Sequence, residues 1–463
     1  MSGVYNGLTA KLSAIVPTHI HTWCYAHVLN LVLSDAAQVL PSTISFFGLL
    51  QEAQVFLNES LKRQQKYKEE NPAFKLGAIG ATRWRSRSDA CVKIFGRIDN
   101  WVLEQSQPPK YVFYELAVAL HSMSLSNEFN AKVRAEASGI LGKFLNFETI
   151  VIAMTFLQIF KITTPLSDYL QTKNLDYAQA WRLVESAVIR LIAIRDKFDE
   201  TLTAAKTFIL KFKEKVDASN EQDTLNNMTI ENDFKKKRLK KVNKMPGEIC
   251  DDERIESPES SFRVNVFNCI VDTVIQTMKN RFVKQKSLYL DLALFDPKRF
   301  PQTIEKLPEN AFDKICELVA SLDKDKLREE MASFINVWPT ISRKTIEQDY
   351  TTDVFENPDT YGGDYDNDDT EFLECNVKNK CNTCIKCAFD VIVEYNMYSL
   401  QYTELYKVYK YLLTIPLTQV TCERVFSKLK LLKTRLRATM SNETLEAFIL
   451  MHTERDNIEW HRI

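Results

Sequence analysis

Glu423 is a single carboxylate near the start of an otherwise basic and apolar segment, residues 417–437, LTQVTCERVFSKLKLLKTRLR. To take part in catalysis, this carboxylate would need acidic partners close to it. The first aspartate in the printed sequence is Asp35, inside a predicted helix. A glutamate in the first turn of a helix also has a structural use, because negative charge is favoured there.

Four cysteines within thirteen residues could bind a metal: Cys375, Cys381, Cys384 and Cys387. A zinc or iron–sulfur site is one interpretation. Free thiols are the other, because the spacing Cys-x-x-Cys-x-x-Cys crowds a single metal. Cys24 and His27 supply only two of the four ligands of a structural zinc site. Packing at a strand-to-helix junction is therefore the preferred interpretation of that pair.

Composition favours helices and gives no overall attraction to nucleic acid. The chain has 463 residues, a net charge of −1, and only 11 Gly and 14 Pro. Affinity for DNA would need a local basic patch, and residues 233–244, DFKKKRLKKVNK, are a candidate. The same residues could also be a nuclear localisation signal or a solvated linker. No run of about 18 apolar residues occurs, so no membrane partner is expected. Ten scattered Cys suit a reducing compartment.

Hydrophobic periodicity predicts a mostly α-helical chain. We expect helices over 1–16, 27–40, most of 41–215, 262–282, 417–437 and 442–455, and one strand over 18–26. The polar segment 216–260 predicts a disordered linker, and 348–374 predicts an acidic irregular stretch. Ser441 is the expected N-cap of the last helix.

The last two predicted helices carry facing apolar stripes, which favours association of one chain with another. The first stripe is Val425, Leu429, Leu432 and Leu436, and the second is Leu445, Phe448 and Ile449. These side chains are more apolar than one helix pair needs for itself. We therefore predict that the C-terminal helices contribute to a homodimer or higher oligomer.

The segment TCERVFSKLKLLKTRLRATMSNETLEAFILM resembles the C-terminal dimerisation region of hAT-superfamily DNA transposases. Its Cys-Glu-Arg-x-Phe-Ser core is similar to the signature Ser/Cys-Glu-Arg-x-Phe-Ser of that family. Further similarity lies in THIHTWCYAHVLNLVL, GATRWRSRSDA and SPESSFRVNVFNCIVDTVIQTMKNRF. Within the superfamily, the chain resembles the zinc finger MYM-type protein-like members.

The resemblance implies a fragment of an RNase H-like α/β domain, in which Asp, Asp and Glu would hold two divalent metals and Glu423 would be the third acid. The aspartates are expected before the segment that contains Cys24 and His27, so the sequence is interpreted as truncated at its N-terminus. Glu423 would then be an inactive remnant, and no cofactor is expected. A divalent metal would bind only if the missing aspartates were supplied upstream.

The resemblance also suggests a DNA contact at Trp84, because in this family a tryptophan at this place lies near the active site and can stack on an unpaired base. Arginines at positions 83, 85 and 87 alternate around it and could contact phosphate, so Arg83, Arg85, Arg87 and Trp84 are the DNA-contact candidates. The alternative, which we favour, is a tryptophan that packs inside a helical domain with its arginines in solvent.

The predicted organisation follows from these similarities. We expect an RNase H-like remnant at 1–40, a helical insertion domain at 41–215 and 261–347, the linker 216–260, an acidic segment at 348–380, and the hAT C-terminal dimerisation region at 381–463.

The predicted function is protein dimerisation by a nuclear, transposon-derived protein without catalytic activity. Its partners would be a second copy and, weakly, DNA, with no small-molecule substrate. Two alternatives remain open: part of an active hAT transposase represented by an incomplete sequence, and a nuclear regulator stabilised by metal at the cysteine cluster.

Overall fold

The computed structural model describes residues 8–15, 24–70, 84–102, 110–171, 177–218, 228–235, 257–282, 286–303, 307–342, 385–414 and 440–453. Within these ranges the regular structure is helical and no strand occurs, which confirms the mostly α prediction. The first eleven helices are α1 Leu8–Ile15, α2 Tyr25–Gln38, α3 Pro41–Asn58, α4 Leu61–Glu70, α5 Trp84–Phe95, α6 Asp99–Val102, α7 Phe113–Leu125, α8 Ala131–Phe144, α9 Phe147–Leu170, α10 Tyr177–Arg195 and α11 Phe198–Asp217.

The later helices are shorter and less regular. They are α12 Pro258–Phe262, a π-helical turn Arg263–Asn268, α13 Cys269–Phe282, α14 Lys286–Leu294, a 3-10 turn Pro297–Arg299, α15 Phe300–Thr303, α16 Asp313–Leu318, α17 Lys324–Ile341, α18 Ile385–Glu394, α19 Thr403–Thr414 and α20 Asn442–Thr453. The helices predicted over 27–40, 262–282 and 442–455 are confirmed within the described residues.

The chain divides into two compact units. The first unit comprises residues 25–171 and 182–284, and the second comprises 1–24, 172–181 and 285–463. Residues 261–284 belong to the first unit, and residues 285–347 belong to the second. The predicted domain organisation stays a prediction.

Helix α9 is the centre of the first unit. It packs against α2, α3, α5, α8 and α11, and Asn146 caps its first turn by accepting a hydrogen bond from the Glu148 N–H at 2.8 Å. Among the described residues it is the one helix whose length and composition would allow it to cross a membrane. However, 78% of that apolar window is buried inside the protein, as expected for the core helix of a helical domain.

A cluster of aromatic rings fills the rest of this core. Phe95, Phe113 and Phe208 lie within 5.8 Å of one another, measured between ring centroids, and all three are fully buried. Tilted and edge-to-face arrangements of this kind add to the free energy that burial of each ring supplies. The aromatic residues thus explain how helices of modest length form one core.

Residues 228–235 correct the prediction that 216–260 is a disordered linker throughout. Met228, Ile230 and Phe234 are buried, and the Phe234 ring lies 4.8 Å from Phe147 and 4.7 Å from Phe262. We call residues 228–235 the strap. The prediction failed because it relied on average polarity, whereas three well-placed apolar side chains are enough to dock a short segment. The rest of 219–256 lies outside the described residues.

The end of the predicted strand 18–26 is also corrected. Cys24 is not in regular structure, and α2 already begins at Tyr25. Tyr25 and Ala26 are helical and buried because their side chains lie on the face of α2 that packs against α13. Residues 18–23 lie outside the described residues.

The second unit is organised around α17. Helices α15 and α19 pack on α17, α18 packs on α19, and α14 packs on α16. Asp291 of α14 accepts hydrogen bonds from the backbone N–H groups of Phe312, Lys314 and Ile315 at 2.8–3.1 Å, so it caps α16 from another helix. Burial raises the pKa of the Asp291 carboxyl, and the three N–H donors oppose that rise.

Candidate functional site

Helices α18 and α19 form a hairpin near the C-terminal end of the described residues. Between residues 343 and 439 the structure describes only this hairpin, residues 385–414. Its two helices pack on each other, and four of their apolar side chains are fully buried: Ala388, Ile392, Leu405 and Val408. The Phe389 and Tyr406 rings stack between the helices with centroids 5.5 Å apart. The i, i+3 and i, i+4 spacing of apolar residues explains why both segments form amphipathic helices.

A buried carboxylate fixes this hairpin to α17. Glu330, 5% exposed, accepts hydrogen bonds at the start of α19 from the Glu404 and Leu405 N–H groups at 2.8 Å. The N–H and the hydroxyl of Thr403 also donate to it, each at 3.1 Å. The first N–H groups of a helix have no acceptor within the helix, and negative charge is favoured at that end. Glu330 therefore acts as an N-cap supplied by a neighbouring helix.

Glu404 completes the connection in the opposite direction. Its side chain, also 5% exposed, accepts from the N–H of Asp323, the N-cap residue of α17, at 3.2 Å, and from the Lys407 amine at 2.7 Å. Asp323 in turn accepts from the N–H groups of Asp325 and Lys326. Helices α17 and α19 thus stabilise each other's N-termini, and the two buried charges are hydrogen-bonded, as burial requires.

Two buried tyrosines complete the packing of α19. The Tyr409 hydroxyl donates to the Phe295 carbonyl at 2.9 Å, and burial raises its pKa well above the usual value of 10.0. Tyr402 lies with its ring centroid 5.3 Å from that of Phe334 and its hydroxyl 3.3 Å from Ser333 Oγ. Neither hydroxyl faces solvent. These contacts therefore stabilise the fold and fix the orientation of α19.

The last helix, α20, shows part of the predicted association stripe. Ser441 is its N-cap, as predicted, and accepts from the Thr444 N–H at 3.2 Å. Leu445 and Ile449 are half-buried, whereas Phe448 is 37% exposed. Val425, Leu429, Leu432 and Leu436 lie outside the described residues, and so does Glu423.

The structure describes one member of the cysteine cluster. Cys387 is buried in α18 next to Ala388, where it packs as a small apolar residue. Cys375, Cys381 and Cys384 lie outside the described residues, and within the described part no group of three His, Cys, Asp or Glu could hold a metal ion.

Cys24 and His27 differ in their exposure to solvent. Cys24 is buried, whereas His27 is exposed in the first turn of α2. Their spacing does not bring them to one side of the helix start.

Trp84 begins α5 and is buried, with 4% of its surface exposed. Its ring packs edge-to-face on Phe47 with centroids 5.3 Å apart, and Phe160 lies 6.3 Å away. The Arg87 guanidinium lies 4.6 Å above the Trp84 ring, and burial lowers the pKa of that arginine. The tryptophan ring is therefore packed inside the first unit.

Arg85 connects α5 to α9. It pairs with Asp168 of α9 and, at 3.2 Å, with Asp89 one turn along α5. Burial raises the pKa of Asp89, and the nearby Arg85 charge opposes that rise. Arg85 and Arg87 are therefore used within the protein, while Arg83 lies outside the described residues. Whether these residues contact DNA stays a prediction.

Sequence reasoning missed the carboxylates that organise the second unit. Glu330 stands in the stripe Leu327, Met331 and Phe334, where a helix pattern calls for an apolar side chain. An acidic residue inside an apolar stripe was the available signal, because burial of an unpaired charge is too costly to occur without partners.

Within the described residues, the fold and these contacts define a helical protein whose C-terminal hairpin packs on α17 of the second unit. Residues 378–454 match the family model of the hAT family C-terminal dimerisation region. This match covers α18, α19 and α20 and begins within three residues of the predicted boundary at 381. No curated protein and no solved structure matches the chain. The match supports derivation from a hAT transposase and self-association through this region.

Proposed function

We propose that the chain acts by self-association through residues 378–454, as a transposase-derived protein without catalytic activity. The observation that carries the proposal is the match of this segment to a dimerisation region, whose described helices also carry apolar side chains in solvent. Phe448, Leu450 and Met451 of α20 are all exposed. Burial of such side chains against a second chain would supply the driving force for association.

The non-catalytic part of the proposal rests on the requirements of the chemistry. Glu423 is the one position that the family resemblance assigns to the acids of the active site, and one carboxylate cannot hold two metals. A weak association with DNA and a nuclear location are secondary parts of the proposal. They rest on the basic run at 233–244, since positive charge of this density attracts phosphate at low salt.

Sedimentation tests self-association directly. We expect the wild-type chain at about 10 μM to sediment as a dimer or larger species, and the double variant Phe448→Glu, Leu450→Glu to shift toward monomer because two charges would enter an apolar contact. The matched control is Ile189→Glu, Ile192→Glu, which replaces two exposed apolar residues of α10 outside the matched segment. A wild-type chain that sediments only as monomer contradicts the proposal.

A cleavage assay separates this proposal from the enzyme alternative. With Mg²⁺ or Mn²⁺ and a DNA duplex, we expect no cleavage or strand transfer above that of a blank. Glu423→Gln should behave as the wild type does. Metal-dependent cleavage by the wild type that disappears in Glu423→Gln would assign the chain to the active transposases instead.

A further inference from the structure

The turn between α18 and α19 is a fixed, hydrogen-bonded structure. Helix α18 ends at Glu394, and Asn396 just beyond it adopts a left-handed conformation with φ 53°. The Met397 N–H donates to the Ile392 carbonyl at 2.9 Å. This pattern is typical of a Schellman-type helix end. The Tyr402 N–H then donates to the Met397 carbonyl at 2.9 Å, so the turn leads into α19 without a free loop.

The surface of this turn is apolar and exposed. Leu400 is 90% exposed and Tyr395 is 50% exposed, and Val393 and Tyr398 are exposed beside them. We call residues 393–400 the hairpin tip. The Tyr398 ring lies 5.1 Å from Tyr406, which stacks on Phe389, so the aromatic surface is supported from below. Single exposed apolar side chains are common on protein surfaces, whereas a group of neighbouring ones, such as these four, is typical of a contact site.

Exposed apolar side chains are concentrated in the matched segment. Twenty large apolar side chains are exposed in the described part of the chain, and eight of them lie in 385–414 and 440–453. These two ranges make up about one seventh of the described residues. Four of these eight side chains belong to the hairpin tip. The tip therefore holds half of the exposed large apolar side chains of the matched segment that the structure describes.

The low charge of the hairpin tip indicates which molecule contacts it. Glu394 is the one charged residue of the hairpin tip, and residues 395–403, YNMYSLQYT, contain no Asp, Glu, Lys, Arg or His. Tyr and Met are enriched where interfaces are buried, whereas charged residues are depleted. A surface with so little charge can face its own copy across a two-fold axis with little repulsion between like charges. We propose that the hairpin tip is a contact surface for a second copy of this chain, with Leu400 at its centre. This inference rests on the proposed function and names the surface that performs it.

Opposite charges at one position test the inference. We expect Leu400→Lys alone and Leu400→Glu alone each to raise the dissociation constant at least about a hundredfold, because the same charge would face itself across the axis. An equimolar mixture of the two variants should recover the sedimentation coefficient of the wild-type assembly. Thermal melting should stay near that of the wild type, since Leu400 is exposed in the single chain. The control is Ile189→Lys and Ile189→Glu, singly and mixed.

Each other outcome overturns the inference in a recognisable way. Wild-type sedimentation of both Leu400 variants, together with dissociation by Phe448→Glu, Leu450→Glu, leaves the proposed function intact and removes the tip from the interface. Dissociation without recovery in the mixture shows that the tip does not face its own copy. Loss of thermal stability without change of mass shows that another part of the same chain covers the tip. A monomeric wild type defeats the proposed function itself.

Discussion

At the scale of single residues, Glu330 is the side chain on which the C-terminal hairpin depends most. We expect Glu330→Ala to lower the free energy of unfolding by about 3 kcal/mol, because four donors at the start of α19 lose a shared acceptor and buried unsatisfied donors are costly. Urea unfolding followed by circular dichroism measures the effect.

Glu329→Ala is the matched control for this variant. Glu329 is the preceding residue of α17 and is exposed, so its removal should change stability by less than about 0.5 kcal/mol. Equal effects of the two variants would show that Glu330 contributes only as a surface charge.

The caps show which residue roles can be predicted from the sequence. Ser441 was predicted as an N-cap because its partner, the Thr444 N–H, is three residues away. The partners of Glu330 lie 73–75 residues away, so no local pattern reveals them. Spacing alone also left two interpretations of Trp84 open, since a tryptophan beside arginines suits both a packed core and a nucleic-acid surface.

At the scale of elements, the strap is the feature that differs most from expectation. We expect Phe234→Ala to lower the free energy of unfolding of the first unit by about 3–5 kcal/mol, because a buried ring between Phe147 and Phe262 would leave a cavity. Thermal denaturation followed by the near-ultraviolet signal of the aromatic residues measures this loss.

Lys235→Ala provides the control, since Lys235 is the next residue and is exposed. It should be neutral within about 0.5 kcal/mol. If Phe234→Ala is equally neutral, the strap does not contribute to the core and behaves as part of a linker, as the composition alone predicts.

The helices themselves were largely predictable, and the reason is periodicity. Helices such as α10 and α13 repeat apolar residues every three or four positions over several turns, which specifies both the element and its buried face. The strap has no period, and its three apolar residues are diluted by polar neighbours. Grouping into two units was also not predictable, because it depends on which distant helices meet.

At the scale of the whole molecule, buried tyrosines set the pH above which the free energy of unfolding falls. Burial raises the pKa of Tyr67, Tyr111 and Tyr409 above the usual value of 10.0. A pKa that is higher in the folded state than in the unfolded state gives stability that is complete below pH 10 and is lost as the pH rises further. Each such tyrosine contributes a slope of up to about 1.4 kcal/mol per pH unit.

Unfolding measured between pH 8 and pH 11.5 checks this expectation. The wild-type free energy of unfolding should fall steeply above pH 10, and Tyr409→Phe should reduce the slope although it removes the hydrogen bond to Phe295. Tyr395→Phe is the control, measured at a concentration at which the chain is monomeric, because Tyr395 is exposed in the single chain. An unchanged slope in Tyr409→Phe would show that its hydroxyl ionises freely in the folded protein.

The link between α17 and α19 also has a consequence for the order in which the chain folds during synthesis. Glu330 leaves the ribosome 73–75 residues before the groups that donate to it. At about 5–20 residues per second this interval lasts about 4–15 s. During that time the Phe334 ring of α17 lacks the Tyr409 ring of α19, which packs on it in the folded protein. The second unit can therefore complete its packing only after α19 has been synthesised.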